Sequence, residues 1–259
     1  MKLKFRNSKQ NRKPSLVKSV VSATAILQSL GDGLVRLTDI SYRTGINKAT
    51  TYRLLKTLET CGFVVQNRAT HHYHPGHLII KLASNPFVAY QELVICAFDE
   101  MKYLCDLSGE SVGLHVSIGA QSVVLAEIPS SHSIRFATGK GYTVPLYCGA
   151  GPKTLLSQFP EHELEAYING AKLVSMLTNE VIDKETLLNQ LERIKNEGYA
   201  VSFGEAISGS AAICVPINNY PCPAGLSIYG PEERFKDKMM GLLKDLKESA
   251  HRISSRFAQ

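Results

Sequence analysis

Residues 37–64 read LTDISYRTGINKATTYRLLKTLETCGFV, and the spacing within this stretch narrows the fold more than any other feature. Thr51, Leu54, Leu55 and Leu58 fall at i, i+3, i+4 and i+7, one face of an α-helix. Asn47 stands where an N-cap belongs, and Cys61-Gly62 ends the helix with glycine. A shorter helix over 38–44 precedes it, with Gly45 at the turn between. Helix, glycine-containing turn and helix within about 25 residues form a helix-turn-helix pattern. The inward face needs partners. Ile40, Ile46 and an earlier helix over 15–30 supply them, and Gly31-Asp32-Gly33 stops that earlier helix. Residues 63–66 and 72–74 then read as two short strands joined by a polar turn, a β-wing.

With the leucines turned inward, Ala49, Tyr52, Arg53 and Lys56 face outward. That face suits a DNA major groove, N-terminal residues first. Arg53 can bond guanine bidentately or clamp a phosphate. Thr50, Thr51 and the helix N-terminus offer donors to phosphate oxygens. Lys48 and Lys56 add point charges, and Tyr52 reaches a thymine methyl or a phosphate. Asn67 and Arg68, at the wing tip, are placed for the adjacent minor groove or backbone. The competing reading is an ordinary helical hairpin with a solvated basic face.

Charge separates these readings. The chain has 259 residues and a net charge of +6. Residues 1–75 hold 13 Lys and Arg against three acidic residues, whereas the remainder holds 16 against 20. A basic end on an acidic body points to a polyanion partner for that end alone. Residues 1–14 carry six basic residues and no acidic one, and are expected to be a disordered arm. No apolar run approaches the ~18–20 residues that span a bilayer, and 15–26 is too polar for a signal-peptide core. A cytoplasmic protein without a membrane partner is expected. The six cysteines are scattered, without a C-x-x-C pair, so neither a zinc ribbon nor a disulfide framework is supported.

Beyond residue 76 the pattern is helical to about 107, broken at Asn85-Pro86. Strands are expected over 111–118, 122–127, 212–217 and 224–228, and helices over 152–158, 161–168 and 184–197. One amphipathic helix is expected over 231–257. The fold class is therefore α+β: a disordered arm (1–14), a winged helix-turn-helix (15–76), a helical linker (77–95) and a second domain (96–259).

The helix-turn-helix resembles that of the IclR family of bacterial transcriptional regulators. The matching residues are Thr44, Gly45, Ile46, Lys48, Thr50, Arg53, Leu54, Leu55, Thr57, Leu58 and Gly62; Ala49 replaces a common serine. Two further blocks resemble the family, VPLYCGAGPKTLL at 144–156 and RIKNEGYAVSFGEAISGSAAICVPINNYPCPAGLSIYGP at 193–231. The resemblance covers nearly all of 15–257. It implies a GAF-like α/β sensor domain with a small-molecule pocket, a homodimer or homotetramer, and a double-stranded DNA operator as partner. Carried onto this chain, the effector-lining residues are Ala150, Gly151, Ser202, Ser210, Ala212, Ser227 and Tyr229. Small residues at the helix start near 150 leave backbone N–H groups for a carboxylate, and the resemblance implies a small organic acid or sugar acid as the effector. Ser202 and Gly204 stand where relatives carry acidic residues, and Pro152 removes one N–H.

Other signals are weaker. HHYHPGH at 71–77 lacks a nearby cysteine or carboxylate, so a wing on phosphates is preferred to a metal site. Gly139-Lys140-Gly141 is too short for a phosphate loop, and no Ser-His-Asp or Cys-His spacing supports catalysis. Neither an enzyme nor a resident cofactor or metal is expected. The expected function is a DNA-binding regulator, repressor favoured, modulated by an effector. The alternative is a regulator whose second domain only oligomerises.

Overall fold

The structure, a computed structural model, describes residues 16–258. The arm expected over 1–14 lies outside the described residues. The chain divides into two compact units, Met1–Ala89 and Tyr90–Gln259.

In the first unit, α1 (Lys18–Gly31), α2 (Leu37–Thr44) and α3 (Lys48–Thr60) enclose a core from Ile26, Leu30, Ile40, Leu55, Leu58, Val64 and Tyr73. Ile26, Ile40 and Leu55, one from each helix, are fully buried. Each such side chain contributes roughly 1.5–3 kcal/mol. α2 stops at Gly45, whose φ of +68° is strained for any residue with a Cβ. Asn47 Oδ1 accepts the Thr50 N–H at 2.9 Å and starts α3. β1 (Val64–Gln66) and β2 (Tyr73–Pro75) pair antiparallel as the wing. The Tyr73 N–H donates to Val35 O at 2.8 Å and ties the wing to the loop after α1. α4 (His77–Ala83) and α5 (Pro86–Ala89) complete the unit.

The second unit runs α6 (Gln91–Ser108), β3 (Ser111–Ile118), β4 (Gln121–Ile128), β5 (Thr143–Pro145), α7 (Ala150–Leu156), α8 (Glu161–Gly170) and α9 (Lys184–Glu197). It continues with β6 (Ala200–Phe203), β7 (Ser210–Ile217), β8 (Ala224–Pro231), α10 (Glu232–Met239), a 3₁₀ turn (Met240–Leu242) and α11 (Leu243–Ser255). The six strands form one antiparallel sheet, ordered β5-β4-β3-β8-β7-β6. Side chains alternate across it. α7, backed by α9, covers the face bearing Gly225, Ser227 and Tyr229, while α6 and α11 cover the other.

Two expectations change. The short strands β5 and β6 at the two sheet edges were not foreseen, and the single terminal helix is two helices separated by the 3₁₀ turn. The linker expected over 77–95 consists of α4, α5 and the start of α6, with the division between units after Ala89. A β-bulge also bears on the site. Leu114 pairs with Ala126 but His115 pairs with Val124, so Leu125 is the extra residue. The bulge resets the alternation of β4 and turns Glu127 to the same face as Ser122 and Val124.

Candidate nucleic-acid interface and ligand cavity

The outward face of α3 is built as its spacing requires. Lys48, Ala49, Thr50, Tyr52 and Arg53 are exposed, with the leucines beneath. The Arg53 guanidinium has no acidic partner among the described residues, so its donors face solvent. Thr51 departs from the expectation. It is fully buried, and its hydroxyl donates to Ile46 O (3.2 Å) and Asn47 O (3.1 Å), so it locks the turn and offers no donor to phosphate. Lys56 is half-buried, and its ammonium donates to Glu59 Oε2 at 2.9 Å and Gln66 Oε1 at 3.1 Å. The Glu59 bond holds that ammonium above its usual pKa. Lys56 thus ties α3 to the wing and projects less charge than Arg53. At the wing tip Arg68 is exposed, while Asn67 Oδ1 accepts the Ala69 and Thr70 amides and shapes the turn. Tyr42 stands 92% exposed near the end of α2, beside the turn that leads into α3.

In the second unit a cavity of about 90 Å³ lies between β3, β4, β7, β8 and the start of α7. A single water requires roughly 10–15 Å³ on the same measure, so the space admits a small molecule. Ala150, Gly151, Ser202, Ser210, Ala212, Ser227 and Tyr229 all line it. Val124, Phe136, Val144 and Ile207 supply apolar wall, and His115, Ser122 and Thr138 add polar atoms.

The geometry at the cavity is tightly bonded. His115 Nε2 lies 2.6 Å from Ser227 Oγ, and the Ser227 hydroxyl donates to Gly113 O at 3.3 Å. Burial lowers the His115 pKa to about 4, against a smaller opposing pull from Glu127, so the ring is neutral at pH 7. The Tyr229 hydroxyl donates to Glu127 Oε1 in a short hydrogen bond. Burial first, then that bond, pushes the Tyr229 phenol far above its usual pKa. Glu127 also accepts the Thr138 amide and hydroxyl and the Gly139 amide, which anchors the connection between β4 and β5.

The start of α7 departs from expectation. Gly149, at φ +94°, donates its N–H to Glu205 Oε2 at 3.0 Å, and the Ala150 N–H donates to Ser202 Oγ at 3.0 Å. Pro152 has no N–H to give. Of the pair expected to offer free amides to a carboxylate, Ala150 therefore already bonds the protein, and only the Gly151 N–H has no partner among the described residues. Glu205 Oε1 in turn meets Lys153 Nζ at 2.8 Å, and Lys153 also donates to Gln190.

Comparison with known proteins places this architecture. Residues 19–68 match the IclR helix-turn-helix domain, and residues 87–255 match the C-terminal domain of the bacterial transcriptional regulator IclR. The HTH-type transcriptional regulator KipR of Bacillus subtilis is 31% identical, over 95% of this chain and 97% of its own length. KdgR of Escherichia coli, also an HTH-type transcriptional regulator, is 29% identical over 96% of each. The crystal structure of Thermotoga maritima IclR superposes with a TM-score of 0.62 at 28% identity, covering 93% of this chain and 99% of that one. The chain belongs to the IclR family.

This is a family of transcriptional regulators and not of enzymes, and the chain is a DNA-binding regulator of the helix-turn-helix type. Family motifs drew attention to the cavity's small residues, yet His115 and Glu127 stand outside those motifs and were missed. For Glu127 the alternation of β4 misleads, because the bulge at Leu125 reverses it. His115 gave no signal in isolation, since its neighbours Gly151 and Ser227 are far away in sequence. Gly204, which replaces a family acidic residue, has φ +60° and suits the turn after β6.

Proposed function

We propose that the protein is a transcriptional repressor whose operator affinity is set by a small molecule held in the second unit's cavity. The exposed, capped face of α3 carrying Arg53 supports the DNA-binding half of this reading. The cavity, lined by the residues that the family motifs single out, supports the sensing half. In this reading Lys48, Thr50, Tyr52 and Arg53 enter the major groove, and Arg68 reaches the backbone or minor groove beside it. A homodimer or homotetramer binds a pseudo-palindromic operator, because paired half-sites mirror two-fold symmetry. The effector acts by favouring one of two arrangements of the DNA-binding units, a population shift. Repression is favoured because AllR of Escherichia coli, 28% identical, is an HTH-type transcriptional repressor. The cytoplasm is the proposed compartment.

Fluorescence anisotropy tests this reading. The full chain is titrated against its own upstream intergenic DNA and a scrambled control, at two salt concentrations, with Arg53→Ala in parallel. Tight, salt-sensitive binding to the native fragment alone, weakened in the variant, is the expected result. Absence of binding at low salt by folded protein would remove the proposal.

A further inference from the structure

The charge around the cavity carries an inference about its ligand. None of the residues lining it is Lys, Arg, Asp or Glu. The carboxylates beside it are Glu127, bonded to Tyr229, and Glu205, bonded to Gly149. The adjoining buried ammonium, Lys153, is engaged by Glu205 and Gln190. The one lining group able to become cationic, His115, is buried and bonded to Ser227.

We propose that the effector is a small uncharged polar molecule, such as an amide, lactone or polyol, and that the cavity excludes carboxylic acids in their ionised form. The inference deepens the reading of this cavity as the effector site and rests on it. An ionised acid entering here leaves its hydration shell, meets no countercharge and approaches Glu127. Of the amides at the start of α7 that would take its oxygens, those of Gly149 and Ala150 are bonded to Glu205 and Ser202, which leaves the single N–H of Gly151. Uncharged oxygens fare differently. The hydroxyl protons of Ser122 and Ser202 have no acceptor among the described residues, so both can donate to a ligand. The Ser210 hydroxyl donates to Ile207 O, which leaves its oxygen free to accept. Donors and acceptors without charge match a ligand that offers both.

The test uses three matched pairs on the full chain near neutral pH: lactate and lactamide, glycerate and glyceramide, pyruvate and pyruvamide. Binding is read by calorimetry and by the rise in unfolding temperature. At least one amide is expected to bind roughly tenfold or more tightly than its acid, a difference of about 1.4 kcal/mol. Ala212→Leu, which fills the cavity, abolishes the temperature rise. Glu127→Gln narrows the preference because the acid gains affinity while the amide keeps its own, and this arm stands even where Ala212→Leu fails to fold. An acid binding as tightly as its amide in the unmodified protein overturns the proposal. So does binding by none of the six, or a temperature rise that persists in folded Ala212→Leu. No DNA enters these measurements, so failure of the regulator reading shows separately, as lost operator binding in the anisotropy titration.

Discussion

His115 Nε2 lies 2.6 Å from Ser227 Oγ across the β3–β8 pair, buried beneath Gly151 at the start of α7. In the folded chain His115 titrates at about 4, chiefly because burial disfavours the imidazolium, against an ordinary value of 6.5. The unfolded chain therefore takes up the proton first as pH falls. The contribution of neutral His115 is complete above about pH 6.5, declines between about 6.5 and 4, and is lost below. The slope in that window is at most about 1.4 kcal/mol per pH unit. Urea unfolding followed by circular dichroism at several pH values should show a steeper acid loss in the unmodified protein than in His115→Gln. Identical slopes would assign the acid sensitivity to other groups.

Arg53 and Lys56 lie one turn apart on α3 but are bonded differently. Arg53 has no acidic partner among the described residues, whereas Lys56 bonds Glu59 and Gln66. Arg53→Ala should cost about 1–3 kcal/mol of operator binding. Lys56→Ala should cost less binding, and its damage should appear in the melting of the first unit, where α3 loses its tie to β1. Anisotropy titrations paired with thermal melts separate the two effects. Equal binding losses from both variants would contradict the distinction.

Thr50 and Thr51 are neighbours with opposite fates. Thr50 is exposed, and Thr51 is buried with its hydroxyl on Ile46 O and Asn47 O. Those carbonyls keep other donors, Ser41 Oγ on Ile46 O and the Thr51 N–H on Asn47 O. Thr51→Val should therefore cost stability only at the scale of one hydrogen bond, about 0.5–1.5 kcal/mol, with operator affinity retained. Thr50→Ala should do the reverse, changing stability by less than about 0.5 kcal/mol while weakening binding. A Thr51→Val protein that is stable but does not bind would return Thr51 to the DNA contacts.

What the sequence made legible follows from the range of the forces involved. The α3 cap at Asn47, the glycine stop at Gly45 and the buried row through Leu55 and Leu58 are local, so residue order alone exposes them. The edge strands β5 and β6 are short, and their pairing with β4 and β7 decides them more than their own composition. The break at Met240–Leu242 interrupts a stretch whose apolar spacing reads as one helix. At the cavity the small residues were legible through motifs. The hydrogen-bond acceptor they share space with, Glu127, depends on a bulge and on a hydrogen bond from Tyr229, 102 residues away in sequence.

At Gly62 and Gly76 the end of α3 and the exit of the wing meet without room for a methyl group. A Cβ on Gly76 would sit 2.3 Å from Gly62 O and 2.8 Å from Val64 N. Both obstacles are backbone, and both are held in place: the Gly76 N–H donates to Phe63 O and the Leu78 N–H to Gly62 O. The φ of Gly76 is −88°, so conformational preference is not the reason for glycine; contact is. Gly76→Ala must push β2 away from α3, at the upper end of the roughly 1–3 kcal/mol that overpacking costs. Gly31, at the end of α1, is the control, since a Cβ there meets nothing within 4 Å. Gly31→Ala should be neutral or stabilise by about 0.4–1 kcal/mol through the unfolded chain. Thermal melts of the two variants decide the matter. A Gly76→Ala protein melting with the unmodified chain would show that the wing can shift freely, and operator binding should then survive as well.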